Sequence, residues 1–98
     1  MEIKMQKDLD KLVIALSGRL DTTTAPELEE KFKTELSDVT ELVVDLADLE
    51  YISSAGLRVL LLGQKTMSKQ GKMVVKNANE SIMEIFDVTG FSDILDIE

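Results

Sequence analysis

Three short apolar runs punctuate this chain, Leu12 to Leu16, Leu42 to Leu46 and Met73 to Val75, and between them stand stretches whose apolar residues recur at helical spacing. Strands that alternate with helices predict an α/β domain with parallel strand pairing and right-handed crossovers. The chain has 98 residues, 44% of them apolar. That accommodates one domain, 1–98, and a core that needs no covalent staple, since a domain of this size buries roughly two-thirds of its unfolded surface. The expected architecture is a small mixed sheet of about four to five strands flanked by α-helices.

Local patterns place the elements. Ile3 and Met5 alternate with Lys4 and Gln6, the mark of a half-buried strand. Asp8-Leu9-Asp10 turns it into the run Leu12 to Leu16, so a hairpin is expected, ended by Gly18. Thr24 followed three residues later by Glu27, with Pro26 in the first turn, predicts a capped helix. At about 100° per residue, Ala25, Leu28, Phe32 and Leu36 share one narrow stripe, which predicts a helix that covers a sheet. Leu42 to Leu46 reads as a strand buried on both faces, followed by a loop carrying Asp48, Glu50 and Tyr51. A second helix is expected over about 55–69, stopped by Gly71, then a strand over 72–76. A third helix is expected over about 81–88, closed by Gly90, and the tail, 94–97, adds a short strand or a helical turn.

Composition narrows the chemistry. Cysteine and histidine are both absent. Thiol catalysis and cysteine zinc sites are excluded, and the commonest metal ligand and neutral-pH base are missing. The formal net charge of −8 disfavours nucleic acid and anionic membranes and predicts partners that are basic or mixed in charge. The charged N-terminal stretch is unlike a signal peptide, and no apolar run approaches a membrane span, so a cytoplasmic protein is expected. Scattered carboxylates in so acidic a chain read as solvated surface; Asp45, at a strand end, is the exception to watch.

In parallel sheets, sites gather at the carboxyl ends of the strands. Three loops are expected there: Leu20 to Thr23, Ile52 to Gly56, and Asn77 to Asn79. Ser53 and Ser54 stand where the second helix begins. One of them is expected to cap the helix. The free N–H groups and dipole at such a position also favour a phosphate. On the helical projection Leu57 and Leu61 fall opposite the main apolar side, beside Arg58, which predicts an apolar anchor next to a cation and hence a protein interface.

Taken together, Gly18-Arg19-Leu20-Asp21, Asp45-Leu46 and Tyr51-Ile52-Ser53-Ser54-Ala55-Gly56-Leu57-Arg58-Val59-Leu60 resemble the STAS domain, and within it the bacterial anti-sigma factor antagonists. The likeness spans nearly the whole chain. It implies a partner switch. The unphosphorylated antagonist binds an anti-sigma factor that is also a serine kinase, and a sigma factor is released. Phosphorylation of one serine ends the complex, and a phosphatase resets it. Counted back from Gly56, the family's phosphorylated serine falls on Ser54, with Ser53 as the alternative. Ser53 stands where the family has aspartate and Ala55 where it has a second hydroxyl. The family's acidic loop position matches Asp21, which by itself also reads as an ordinary turn residue. The partner surface so implied comprises Asp21, Thr22, Ser53, Ala55, Gly56, Leu57, Arg58 and Leu61, with no cofactor and no metal.

Two other functions use the same fold. The family also supplies constitutive binding subunits of stress-sensing assemblies and of lipid ABC transporters. A small hydrolase built on Ser54 and Asp21 would need a lysine as base, and the three loops hold none.

Overall fold

The computed structural model describes all 98 residues. Strands β1 (Glu2–Asp8) and β2 (Lys11–Leu20) form the expected antiparallel hairpin. Its turn is made by Leu9, in the left-handed region at φ 57, and Asp10. Helix α1 (Ala25–Glu35) crosses to β3 (Glu41–Ile52), α2 (Ser54–Ser68) to β4 (Lys72–Lys76), and α3 (Glu80–Thr89) through a 3₁₀ turn (Phe91–Asp93) to β5 (Asp96–Ile97). The sheet order is β1-β2-β3-β4-β5, antiparallel at the first pair and parallel at the other three. The mixed five-stranded sheet with three helices is the architecture expected from the alternation of elements. The tail provides both alternatives, a helical turn and then a strand.

One cluster holds the molecule together. Leu12, Ile14, Leu16, Leu42, Val44, Leu46, Met73 and Val75 of the sheet meet Leu28, Phe32, Leu60, Met67, Ile82 and Phe86 of the helices. The predicted α1 stripe is buried at all four positions. Val43 and Val74 are also buried, but on the opposite face and outside that cluster. Over Leu42 to Leu46, β3 is thus buried on both faces except at half-buried Asp45, although the helices cover only one of them. The other protects itself with charge. Asp8, Lys11, Glu41 and Lys72 follow one another across four strands with alternating sign, and Lys72 comes within 4.0 Å of Glu41. Opposite charges directly across strands stabilise a solvated face.

Two strands run further than their sequence patterns foretell. β2 does not stop at Gly18 but passes through it, with Gly18 at φ 88 and register shifts between Ala15 and Ser17 and between Gly18 and Arg19. β3 is 12 residues long and contains Asp48, Glu50 and Tyr51, the residues expected in a loop. Across Leu46, Leu49 and Ile52 it buries every third residue instead of every second. The bulges lie in β3 itself: it takes three residues against two of β2 from Asp45 to Asp48 and two against one from Leu49 to Tyr51, and each extra residue rotates the next side chain to the other face.

The helix ends also depart from expectation in one case. Thr24 does not form a capping box. Its hydroxyl accepts from the Asp21 N–H at 2.9 Å and donates to the Arg19 carbonyl at 2.8 Å, so it pins the loop behind the helix. Gly71 is needed for space: a Cβ there would lie 1.9 Å from the Thr40 carbonyl, which accepts from the next N–H, of Lys72.

Candidate functional site

The site is assembled where β2 and β3 end together. Leu20 pairs with Ile52, and the Ser53 N–H donates to the Leu20 carbonyl at 2.9 Å. Gly56 lets the first turn of α2 lie against this junction. A Cβ at 56 would stand 2.7 Å from Leu20 Cγ, 2.9 Å from Ile52 Cγ1 and 2.9 Å from the Leu20 oxygen. The close approach brings two loops into one surface: Thr22 from the β2–α1 loop and Ser54, Ala55 and Arg58 from α2 line a single shallow hollow of about 410 Å³.

The third expected loop does not join them. β4 ends opposite Asp45, whereas β3 continues seven residues to Ile52, roughly 20 Å further at about 3.3 Å per residue. Asn77 and Asn79 serve the middle of β3 instead. Asn77 Nδ2 donates to Asp45 Oδ1 at 3.0 Å, and Asn79 Nδ2 donates to the Leu49 carbonyl at 3.1 Å while its side-chain oxygen caps α3.

The two serines are chemically distinct. Ser53 has extended backbone, ψ 176, and its hydroxyl oxygen accepts from the Gly56 N–H at 3.4 Å, so it is the N-cap of α2. Ser54 is the first helical residue. It is exposed, and its hydroxyl has no hydrogen-bond partner in the chain. Four residues on, Arg58 is exposed and makes no ion pair.

Asp21 is engaged by its own turn. Oδ1 accepts from the Thr23 N–H at 3.0 Å, the Thr23 hydroxyl at 2.8 Å and the Thr24 N–H at 3.3 Å. The Thr23 hydroxyl, foremost, and these N–H groups hold its carboxyl below the usual range. The Arg19 Nε lies 3.8 Å from Oδ2, and the same guanidinium sits 4.3 Å above the Tyr51 ring. Neither serine bonds to Asp21.

The leucines differ from the helical projection. Leu57 is buried, 5% exposed, in the same cluster as Leu49 and Ile52. The helical projection alone puts it on the outer face; the extension of β3, whose Leu49 and Ile52 belong to the same cluster, buries it. Leu61 is half-buried. The exposed leucine of α2 is Leu62, at 36%. It overlooks Phe32 and Leu36 in a hollow of about 300 Å³ between α1 and α2. The angle from Arg58 could have found it: four residues advance the helix by about 400°, only 40° from the cation.

A two-layer domain whose helices all cover one face of a mixed sheet, with a serine exposed at the start of the second helix, defines a class. Residues 3–96 match the family described as "Mlab, STAS domain", and the chain belongs to the STAS domain family. Among its relatives is the "Anti-sigma-B factor antagonist" of Bacillus subtilis, 30% identical over 98 residues, which cover 99% of this chain and 90% of the relative. Two solved structures share the fold. One is an anti-sigma factor antagonist from Mycobacterium paratuberculosis, with a TM-score of 0.88 at 24% identity, covering 98% of this chain and 83% of that one. The other is the Bacillus cell fate determinant SpoIIAA in its phosphorylated form, with a TM-score of 0.77 at 18% identity, covering 99% and 91%. No helix is long and apolar enough to cross a membrane.

Proposed function

We propose that this chain is an anti-sigma factor antagonist of the cytoplasm. Unphosphorylated, it binds an anti-sigma factor serine kinase and frees a sigma factor; phosphorylation on Ser54 switches binding off, and a phosphatase restores it. It acts by binding and not by turnover. The observation that carries the assignment to Ser54 is the division of labour within the serine pair. The Ser53 hydroxyl is committed to the cap, whereas the Ser54 hydroxyl is exposed and unbonded at the helix start. A phosphate there meets the positive end of the helix dipole, worth about 0.3–1 kcal/mol, so the modification leaves α2 folded. Its effect falls on the surface, where about two negative charges appear beside Thr22, Ala55 and Arg58.

The partner surface follows from the same geometry. Thr22, Ser53, Ala55, Arg58 and Leu61 contribute side chains. Asp21, Gly56 and Leu57 contribute shape, since the first holds the loop and the other two seat the helix. Incubation with the cognate kinase and ATP, followed by mass mapping, tests the assignment. One phosphate on Ser54 is expected in the wild type and none in Ser54→Ala. A Ser54→Ala chain phosphorylated as well as wild type refutes it. Co-purification with a transporter ATPase or a large assembly, indifferent to ATP, would instead identify a constitutive binding subunit.

A further inference from the structure

The net charge of −8 conceals a segregation. From Tyr51 to Asn79 there is no acidic residue, although the chain has 19, and this stretch holds 5 of its 11 basic residues. Lys72 and Lys76 lie near Glu41 and Glu98, at 4.0 and 3.6 Å. The other three, Arg58, Lys65 and Lys69, make no ion pair. They belong to α2 or its C-cap and are all exposed. Spaced seven and four residues apart, they lie within about 40° of one another on the helix, and Leu62 stands at the edge of the same stripe.

Beside that stripe runs a groove. The hollow containing Arg58 and Thr22 shares Arg58 with a second one, lined by Glu29, Val59 and Leu62. The second shares Leu62 with the hollow over Phe32 and Leu36. Gln70 closes the far end, its Nε2 donating to the Leu36 and Val39 carbonyls at 2.5 and 2.6 Å. From Arg58 to Lys69 the groove follows 11 residues of α2, about 17 Å, which is the length of three helical turns. Phe32, Leu36 and Leu62 give it an apolar floor, and Arg58 lines its near end. Lys65 and Lys69 stand on the exposed stripe beside it, and on the α1 side Glu29 is held by Lys33 at 3.2 Å.

We propose that the groove between α1 and α2 seats an acidic amphipathic helix of a partner protein. Its apolar residues insert beside Leu62 over Phe32 and Leu36, and its carboxylates face Arg58, Lys65 and Lys69. Charge complementarity selects this occupant: three basic side chains that form no ion pair in their own chain lie in one stripe beside apolar Leu62. A bilayer fits poorly, because Phe32 and Leu36 are recessed, 4% and 2% exposed, at the bottom of a narrow hollow that a flat surface does not enter. This inference rests on the proposed function for the chain being a binding module. It also explains how a phosphate would act: at Ser54, four residues before Arg58, it neutralises one end of the cationic stripe and repels an acidic helix.

Titration of the unphosphorylated, ¹⁵N-labelled chain tests the proposal. The probes are two synthetic helices of about three turns with the same leucine anchors, one flanked by glutamates and its twin by lysines. The glutamate helix is expected to shift the amides of Phe32, Leu36, Leu62, Lys65 and Lys69. At low salt it should bind at least about tenfold tighter than the twin, with the gap closing at high salt. Lys65→Glu with Lys69→Glu, both surface changes, should reverse the preference. Equal affinities, a tighter lysine twin, or shifts outside the groove overturn the proposal. So does self-association, or binding to phosphatidylglycerol vesicles, that the double variant abolishes while the glutamate helix leaves the groove unperturbed. No phosphate enters this titration, so its failure leaves the mapping of Ser54 standing, and loss of Ser54 as acceptor leaves the groove standing.

Discussion

Gly56→Ala tests whether α2 is docked as tightly as the site requires. Two opposing effects set its magnitude. Alanine is favoured over glycine in a helix by about 1 kcal/mol, and less in the first turn. Against this, the new methyl meets Leu20 Cγ at 2.7 Å, Ile52 Cγ1 at 2.9 Å and the Leu20 oxygen at 2.9 Å. Leu20 and Ile52 are fully buried, so neither has free volume to retreat into. Overpacking of this kind destabilises by about 1–3 kcal/mol. Nor can the Leu20 carbonyl swing aside freely, because it accepts from the Ser53 N–H at 2.9 Å, a bond worth about 1 kcal/mol. The balance is a loss of about 2 kcal/mol, or about 8–16 °C in Tm for a domain of this size. Thermal and urea unfolding followed by circular dichroism measure it. Amide spectra should show the disturbance centred on Leu20, Ser53 and Ser54. A variant as stable as wild type, or more so, would mean that helix propensity prevails. The close contact that unites the Thr22 loop with the serines would then not exist.

Two further predictions follow from the same junction. Ser53→Ala removes the cap and should lower stability by about 0.5–1 kcal/mol, at the low end because the bond is long at 3.4 Å, whereas Ser54→Ala should change it by less than about 0.5 kcal/mol; urea unfolding of both separates cap from acceptor. The hydrogen bonds from Thr23 and Thr24 place the folded pKa of Asp21 below its unfolded value, so the carboxylate contributes stability that is present above the unfolded pKa, near 3.8, and is lost as pH falls through the folded pKa; Asp21→Asn should flatten that part of the acid limb in a pH series of urea midpoints, and an unchanged limb would refute the assignment.

What could be read from the sequence was whatever neighbouring residues decide among themselves. The α1 stripe needs only one flat surface to pack on, and Ala25, Leu28, Phe32 and Leu36 are all buried as their spacing implies. The β1–β2 hairpin is likewise local. The errors arise where a distant strand sets the answer. The run from Ala47 to Ile52 carries three exposed carboxyl or aromatic side chains and lacks alternation, so it resembles a loop. It is a strand because β2, some thirty residues earlier, runs on through Gly18 at φ 88 and pairs with it as far as Ile52, β3 taking up the difference in its own bulges. The same hidden strand explains the leucines. With β3 extended, Leu57 joins Leu49 and Ile52 in the core cluster, and Leu62 stands in the groove.

The serine pair shows the same division at the scale of one bond. Sequence alone makes either serine a cap, because both have the required hydroxyl and both precede the helical pattern. The choice is made by the Ser53 N–H, which the parallel pairing of β2 with β3 ties to Leu20. That bond holds Ser53 in extended conformation and leaves Ser54 as the first helical residue. A cap satisfies a backbone donor and must stay in place; a phosphate acceptor must be free to leave its surroundings unchanged when modified. Adjacent serines can meet both demands only if the strand end assigns the roles. The position of the proposed switch therefore depends on the β2–β3 junction more than on the identity of residue 53, which is how serine can stand where the wider family has aspartate while an exposed hydroxyl remains at 54.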